Sequence, residues 1–152
     1  MKQMLKIYTD GSCIKNPGPG GWAFLITLDD LLIQKSSGGE RDTTNNRMEL
    51  LAVINALKYF KLDYYPLYTC KIYIDSQYVK NGITCWIKNW KLSNWKKYDK
   101  TPVLNKDLWS ALDELNSELD PNWSWIRGHF ANKWNIVVDN LANKEANNLI
   151  GK

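Results

Sequence analysis

The sequence predicts a mixed α/β fold, with a three-strand antiparallel meander continued by parallel strands and helices on both sheet faces. Three observations predict it. Two β-rich runs, KIYTDGS at 6–12 and KIYIDSQ at 71–77, share one pattern, and in each the run stops on an aspartate. Between them lies a long amphipathic stretch, the crossover that a parallel pairing requires. The β-like runs before residue 40 are joined by short turns, whereas the later ones alternate with helical periodicity.

In the first strand Leu5, Ile7 and Thr9 alternate with Lys6, Tyr8 and Asp10. NPGPGG at 16–21 is turn chemistry; without a Gly-Lys-Ser/Thr ending it is not a phosphate-cradling loop. GWAFLITL at 21–28 and LLIQKSSG at 31–38 complete the meander. Residues 46–61 read as a helix with Leu50, Val53, Ile54, Leu57 and Phe60 on one stripe. Asn46 is its candidate cap, and Glu49 stands three residues on, where a capping box places an acid. The second KIY run is a strand parallel to the first. Helical stretches are predicted at 76–82, 86–95 and 103–117, and NWSWI at 122–126 supplies the fifth strand. After the loop GHFANKW, a final helix over 134–149 buries Val138, Leu141, Ala142 and Leu149. With 152 residues and no linker or low-complexity tract, one domain over 1–152 is expected.

The composition is that of a soluble globular chain, 44% hydrophobic and 24% charged. Its net charge of +4 is unevenly placed. From Trp86 to Trp109 six lysines face two aspartates, which equals the charge of the whole chain, and four of the eight tryptophans are there. Such a segment suits a polyanion with stackable surfaces, or else is a solvated helix with core tryptophans. Cys13, Cys70 and Cys85 lack metal-site spacing and are odd in number, so no disulfide framework is expected. The N-terminus meets charge too early for a signal peptide, and no apolar run reaches membrane-span length. A soluble, cytoplasmic monomer is the expectation.

The twin aspartates carry the chemistry. Neighbouring strands lie about 4.8 Å apart, so parallel KIY strands would bring Asp10 and Asp75 together at the carboxyl edge of the sheet, where such folds bind ligands. Two ionised carboxylates that close repel unless a cation joins them. Carboxylate oxygens suit Mg²⁺, and paired ions suit phosphodiester hydrolysis. Glu49 and Asp139 are further candidates, each also readable as an ordinary helix-terminus acid. His129, the one histidine, sits in a Gly-preceded loop and is a candidate proton shuttle.

YTDGSCIKNPGPGGWA, TTNNRMELLA, IYIDSQYVKNGITCWIKNWK, WIRGHF and VVDNLAN together resemble type 1 ribonuclease H over nearly the whole chain. The resemblance implies a ribonuclease H-like five-stranded sheet with a basic helical protrusion at about 86–105. It implies hydrolysis of the RNA strand of RNA–DNA hybrids, largely independent of sequence, leaving 5′-phosphate and 3′-hydroxyl ends. Asp10, Glu49, Asp75 and Asp139 would hold Mg²⁺ or Mn²⁺, two ions with substrate, and His129 would assist water activation or product departure. Cys13, Asn16, Asn45 and Gln77 match positions that touch RNA in the minor groove, where the 2′-hydroxyl separates RNA from DNA. Tyr78, Trp86 and Trp90 match a channel that packs on deoxyribose, and Thr44 and Asn105 match a DNA-phosphate pocket. Lys91, Lys96 and Lys97 belong to the protrusion.

The chain departs from that pattern in two places. After His129 come Ala131, Lys133, Trp134, Ile136 and Val137, bulkier or more apolar than the family's usual loop, while Asn135 fits. Asp42 stands where an arginine is common, with Arg41 adjacent. The rival readings are another carboxylate-metal nuclease such as a transposase, integrase or DNA exonuclease, a non-catalytic binding module, or a domain of a reverse transcriptase. The start at Met1 without a linker favours a free-standing chain over the last.

Overall fold

A computed structural model describes residues 1–126 and 132–150. Five strands form one sheet: β1 (Met4–Cys13), β2 (Gly18–Leu28), β3 (Leu31–Thr43), β4 (Thr69–Ile74) and β5 (Asn122–Trp125). Their spatial order is β3-β2-β1-β4-β5. The meander β1–β2–β3 is antiparallel, and β1–β4 and β4–β5 are parallel. The first three strands run further than their alternation predicted, because β2 and β3 pair almost to their ends. The two KIY runs are direct neighbours, with Lys6 opposite Lys71, Ile7 opposite Ile72 and Tyr8 opposite Tyr73.

The helices are α1 (Asn45–Asp63), α2 (Gln77–Asn81), α3 (Ile87–Leu92), α4 (Lys106–Leu119) and α5 (Lys133–Asn148), with a π-helical turn at Gly82–Trp86 joining α2 to α3. Thr44, not Asn46, caps α1: its hydroxyl accepts from the Arg47 amide at 3.2 Å. Glu49 therefore lies past the first turn and is not a capping-box acid. Asn132 caps α5 by accepting from the Trp134 amide. Asp139 consequently sits in the second turn of α5 rather than at its opening, beyond the reach of ordinary dipole complementation.

Both sheet faces are covered. On one, Leu5, Ile7, Phe24, Ile26 and Ile72 pack with Leu50, Ile54, Leu57 and Phe60 of α1 and with Trp109 and Leu112 of α4. On the other, Tyr8, Ala23 and Leu25 pack with Val138 and Ala142 of α5. Tyr8 is therefore buried although strand alternation alone would leave it on the polar face. Burying each large apolar side chain here contributes about 1.5–3 kcal/mol against solvent exposure. The consequence for function is positional, since α1 and α5 are held against opposite faces of the strand that carries Asp10.

Candidate active site

Asp10 ends the apolar part of β1, and Asp75 follows the last residue of β4. Because the strands pair in matched register, Asp10, part-way along β1, and Asp75, just past the end of β4, fall at the same level. Oxygens of Asp10, Glu49 and Asp75 all lie within 4.8 Å of one another. Glu49 is almost fully buried in α1, Asp10 is partly buried, and Asp75 is exposed.

Two glycines make this approach possible. A Cβ on Gly11 would stand 2.5 Å from the Glu49 backbone nitrogen, so β1 and α1 touch there only because no side chain intervenes. A Cβ on Gly21 would collide with the Ala142 carbonyl, so α5 beds directly on β2. Gly21, the last residue of the glycine-rich stretch at 16–21, thus serves helix–strand contact.

Asp139 reaches the same place from α5. A cleft at the strand tips is lined by Asp10, Asp75 and Asp139 together with Thr9, Tyr73 and Asn135. Asn143, one helical turn beyond Asp139, donates to Asp139 Oδ2 at 3.3 Å and accepts from the Ser12 hydroxyl. Ser12 and Asn143 were not foreseen as site residues; the four-residue spacing of Asp139 and Asn143 on one helix face was the available signal.

The electrostatics follow from crowding. Burial pushes the Asp10 carboxyl up to about 8 from its ordinary 3.8, helped by the charge of Asp75 and the adjacent Asp139; the Gly11 amide, donating to Asp10 Oδ1 at 2.9 Å, pulls partly the other way. Burial, followed by the charges of Asp10 and Asp75, raises the Glu49 carboxyl well above its usual range. Such a cluster resists full ionisation unless a cation compensates. Oxygens on opposite sides of a Mg²⁺ ion stand roughly 4.2 Å apart, twice a bond of ~2.1 Å, and the all-oxygen donor set is of the hard type this ion prefers. The spacing and chemistry of the three carboxylates fit such an ion.

A rim gathers beside the acids. Asn16 Oδ1 accepts from the Asn45 amide at 3.0 Å, and the Cys13 thiol lies 3.4 Å from the Thr43 carbonyl. Cys13, Asn16, Thr44 and Asn45 therefore share one patch at the start of α1. Gln77 is exposed in the first turn of α2.

On the protrusion side, aromatic rings pack into one cluster. Tyr78 lies 5.6 Å from Trp86 and 5.2 Å from Trp109, and Trp90 lies 5.4 Å from Trp109 and 5.8 Å from Trp86, centroid to centroid. Trp109 is fully buried, as a core residue, while Tyr78, Trp86 and Trp90 keep partial exposure. The Tyr78 hydroxyl accepts from Trp109 Nε1 at 3.0 Å and from Asn105 Nδ2 at 3.4 Å, which ties Asn105 to the aromatic cluster. Lys91 pairs with Asp113 at 2.8 Å, and Lys96 and Lys97 are exposed. His129 and Ala131 lie outside the described residues. Lys133 and Trp134, expected in that loop, instead open α5, where Trp134 Nε1 and Lys133 Nζ both donate to Asp30 in the β2–β3 turn, at 2.7 and 2.8 Å.

A family profile described as RNase H matches residues 2–147. The chain belongs to the ribonuclease H family. It is 48% identical to the ribonuclease H of Treponema denticola, covering 91% of this chain and 94% of the relative. It is also 48% identical to the ribonuclease H of Hydrogenovibrio crunogenus, covering 98% and 99% respectively. Among solved structures, LC9-RNase H1, a type 1 RNase H with the type 2 active-site motif, superposes with a TM-score of 0.82 at 25% identity, over 98% of this chain and 74% of that one. LC11-RNase H1 in complex with RNA/DNA hybrid superposes with a TM-score of 0.68 at 25% identity, over 97% and 99%. The five-stranded mixed sheet expected from the sequence is the ribonuclease H fold, and membership makes the chain a nuclease of the hydrolase class. No helix among the described residues is long and apolar enough to cross a membrane.

Proposed function

We propose that this chain hydrolyses the RNA strand of RNA–DNA hybrids at the carboxylate cluster, as one catalytic domain over 1–152 with a basic protrusion at about 86–105. The observation that carries the reading is the convergence of Asp10, Glu49 and Asp75 within 4.8 Å, where β1, the end of β4 and a helix meet. Asp10, Glu49, Asp75 and Asp139 would hold Mg²⁺, or Mn²⁺, as two ions with substrate present. When bound, such ions supply Lewis acidity at the phosphodiester and lower the pKa of an attacking water.

The chain's own residues do the rest. Asp10 and Glu49 supply negative charge from an apolar setting, where it is worth more than in water. Asn143 orients Asp139, and the Gly11 amide orients Asp10. His129 is assigned to water activation or product departure. Cleavage leaves a 5′-phosphate and a 3′-hydroxyl. Cys13, Asn16, Asn45 and Gln77 bind the RNA strand on the rim, and Glu49 contacts a 2′-hydroxyl. Tyr78, Trp86 and Trp90 pack on deoxyribose of the opposite strand, with Thr44 and Asn105 on a DNA phosphate. Lys91, Lys96 and Lys97 add backbone attraction that is indifferent to sequence. The Lys91–Asp113 pair makes Lys91 the weakest contributor of the three. The protein acts as a cytoplasmic monomer.

The experiment is a substrate panel of hybrid, RNA duplex, DNA duplex and single strands, incubated with Mg²⁺, Mn²⁺ or chelator. The expected result is metal-dependent cutting of the hybrid's RNA strand alone, lost in Asp10→Asn while hybrid binding persists. Cutting of DNA duplex, or wild-type rates in Asp10→Asn, would overturn the reading.

A further inference from the structure

The repeated motif holds more than its aspartates. Lys6, Tyr8 and Asp10 follow one another at two-residue steps, as do Lys71, Tyr73 and Asp75. With β1 and β4 in matched register, the result is three twin rows: lysines, then tyrosines, then carboxylates. Only the last row is used by the hydrolysis described above.

The tyrosine row is built. Tyr8 and Tyr73 stack with ring centroids 4.8 Å apart and planes inclined by 13°. Tyr8 is buried against α5, and Tyr73 is half-buried. The lysine row costs stability, because like charges directly opposite on neighbouring strands repel. Nothing in the core needs two lysines there. The acid near Lys6 is Asp30, whose carboxylate already accepts from Lys133 and Trp134, and Lys71 Nζ stands over the Tyr73 ring, so the local balance stays positive.

A cavity of about 480 Å³ opens on this strip, lined among the described residues by Lys6, Tyr8, Tyr73, Trp125, Asn132 and Asn135. Its volume is in the usual range for a small-ligand site. It is continuous with the carboxylate cleft, which shares Tyr73, Ile126 and Asn135 with it. The partly exposed rings of Tyr73 and Trp125, the Asn135 amide and Lys6 at the far end match a nucleotide, with its base against the rings, its edge on that amide and its phosphate on lysine.

We infer that the Lys6/Lys71–Tyr8/Tyr73 strip is a binding site for one unpaired nucleotide of the RNA strand, held beside the point of cleavage. This rests on the proposed function, because the strand nearest the carboxylates is taken to be the one that is cut. An end released from pairing with DNA would leave the hybrid groove and lie along the strip, from the carboxylate row toward the lysine row.

The test uses the full chain with chelator present and a 5′-phosphorylated RNA tetranucleotide carrying a 3′ fluorophore, followed by anisotropy. Wild type should bind it, and the Lys6→Gln/Lys71→Gln double variant should bind at least fivefold more weakly. Tyr73→Ser, which keeps the fold's Tyr8–α5 contact, should also weaken binding severalfold. Single-turnover cleavage of a long hybrid, cut far from its ends, should stay within twofold of wild type in the double-lysine variant, whose positions lie outside the carboxylate cleft. No binding by wild type, unchanged binding in the variants, or equal affinity for the matching DNA tetranucleotide would overturn the inference. So would parallel loss of hybrid cleavage in the double-lysine variant, which would make the strip part of the main groove. Failure of wild type to cut the hybrid at all would instead defeat the proposed function, and is read separately.

Discussion

Removing the charge of Asp10 should destroy activity and strengthen the fold. Asp10 is held protonated up to about 8, whereas the same side chain in an unfolded chain ionises near 3.8. Between those two values the folded state binds the proton that the unfolded state has lost, so stability falls as pH rises through the window, and the loss is complete above 8. One proton corresponds to a slope of at most ~1.4 kcal/mol per pH unit, or roughly 4 kcal/mol by pH 7. An independent figure comes from Coulomb's law: two carboxylates no more than 4.8 Å apart at an effective dielectric of 20 repel by at least about 3.5 kcal/mol. Because Glu49 shares the burden, Asp10→Asn is expected to gain about 2–4 kcal/mol at pH 7 in chelator, a rise of roughly 5–15 °C in Tm. The gain should shrink toward zero near pH 4. Urea denaturation of both proteins at pH 4.5, 6, 7 and 8, with EDTA, measures it. A variant no more stable than wild type at pH 7–8, or a gain that does not change with pH, would refute the account of the cluster as a set of mutually repelling, desolvated acids.

Adding Mg²⁺ at pH 7.5 should raise the Tm of wild type, since ligand binding stabilises by RT ln(1 + [L]/Kd), and should raise that of Asp10→Asn less; thermal scans across a Mg²⁺ series check this. Gly11→Ala would place a Cβ against the Glu49 backbone and push α1 from β1. The expected result is a stability loss of about 1–3 kcal/mol by denaturation and at least a tenfold fall in hybrid cleavage. Tyr78→Phe strips the acceptor from the buried Trp109 indole and from Asn105; it should cost about 1–3 kcal/mol by urea denaturation and weaken hybrid binding. Removing Lys96 and Lys97 together should flatten the slope of log binding constant against log salt by up to about two units, read by hybrid titration at several ionic strengths.

Much was determined by the sequence alone. The KIY repeat, separated by one amphipathic crossover, left parallel adjacency as the natural pairing, and with it the meeting of Asp10 and Asp75. The stripe from Leu50 to Phe60 named the helix that brings Glu49. These features are local in period, so they survive without coordinates. Other features needed the folded chain. Glu49 and Asp139 look like helix-terminus acids in sequence, and only the caps at Thr44 and Asn132 move them into second turns that face the cleft. Tyr8 sits at a position that alternation assigns to the polar face, yet α5 covers it. The Asn143–Asp139 contact, the Tyr78 hydroxyl shared by Trp109 and Asn105, and the Asp30 clasp on Lys133 and Trp134 join residues 4, 31 and about 100 positions apart. Periodicity reports which face of its own element a residue occupies. Which other element comes to meet that face depends on close approaches such as Gly11 against α1 and Gly21 against α5, and those are settled only when the sheet and both helices pack together.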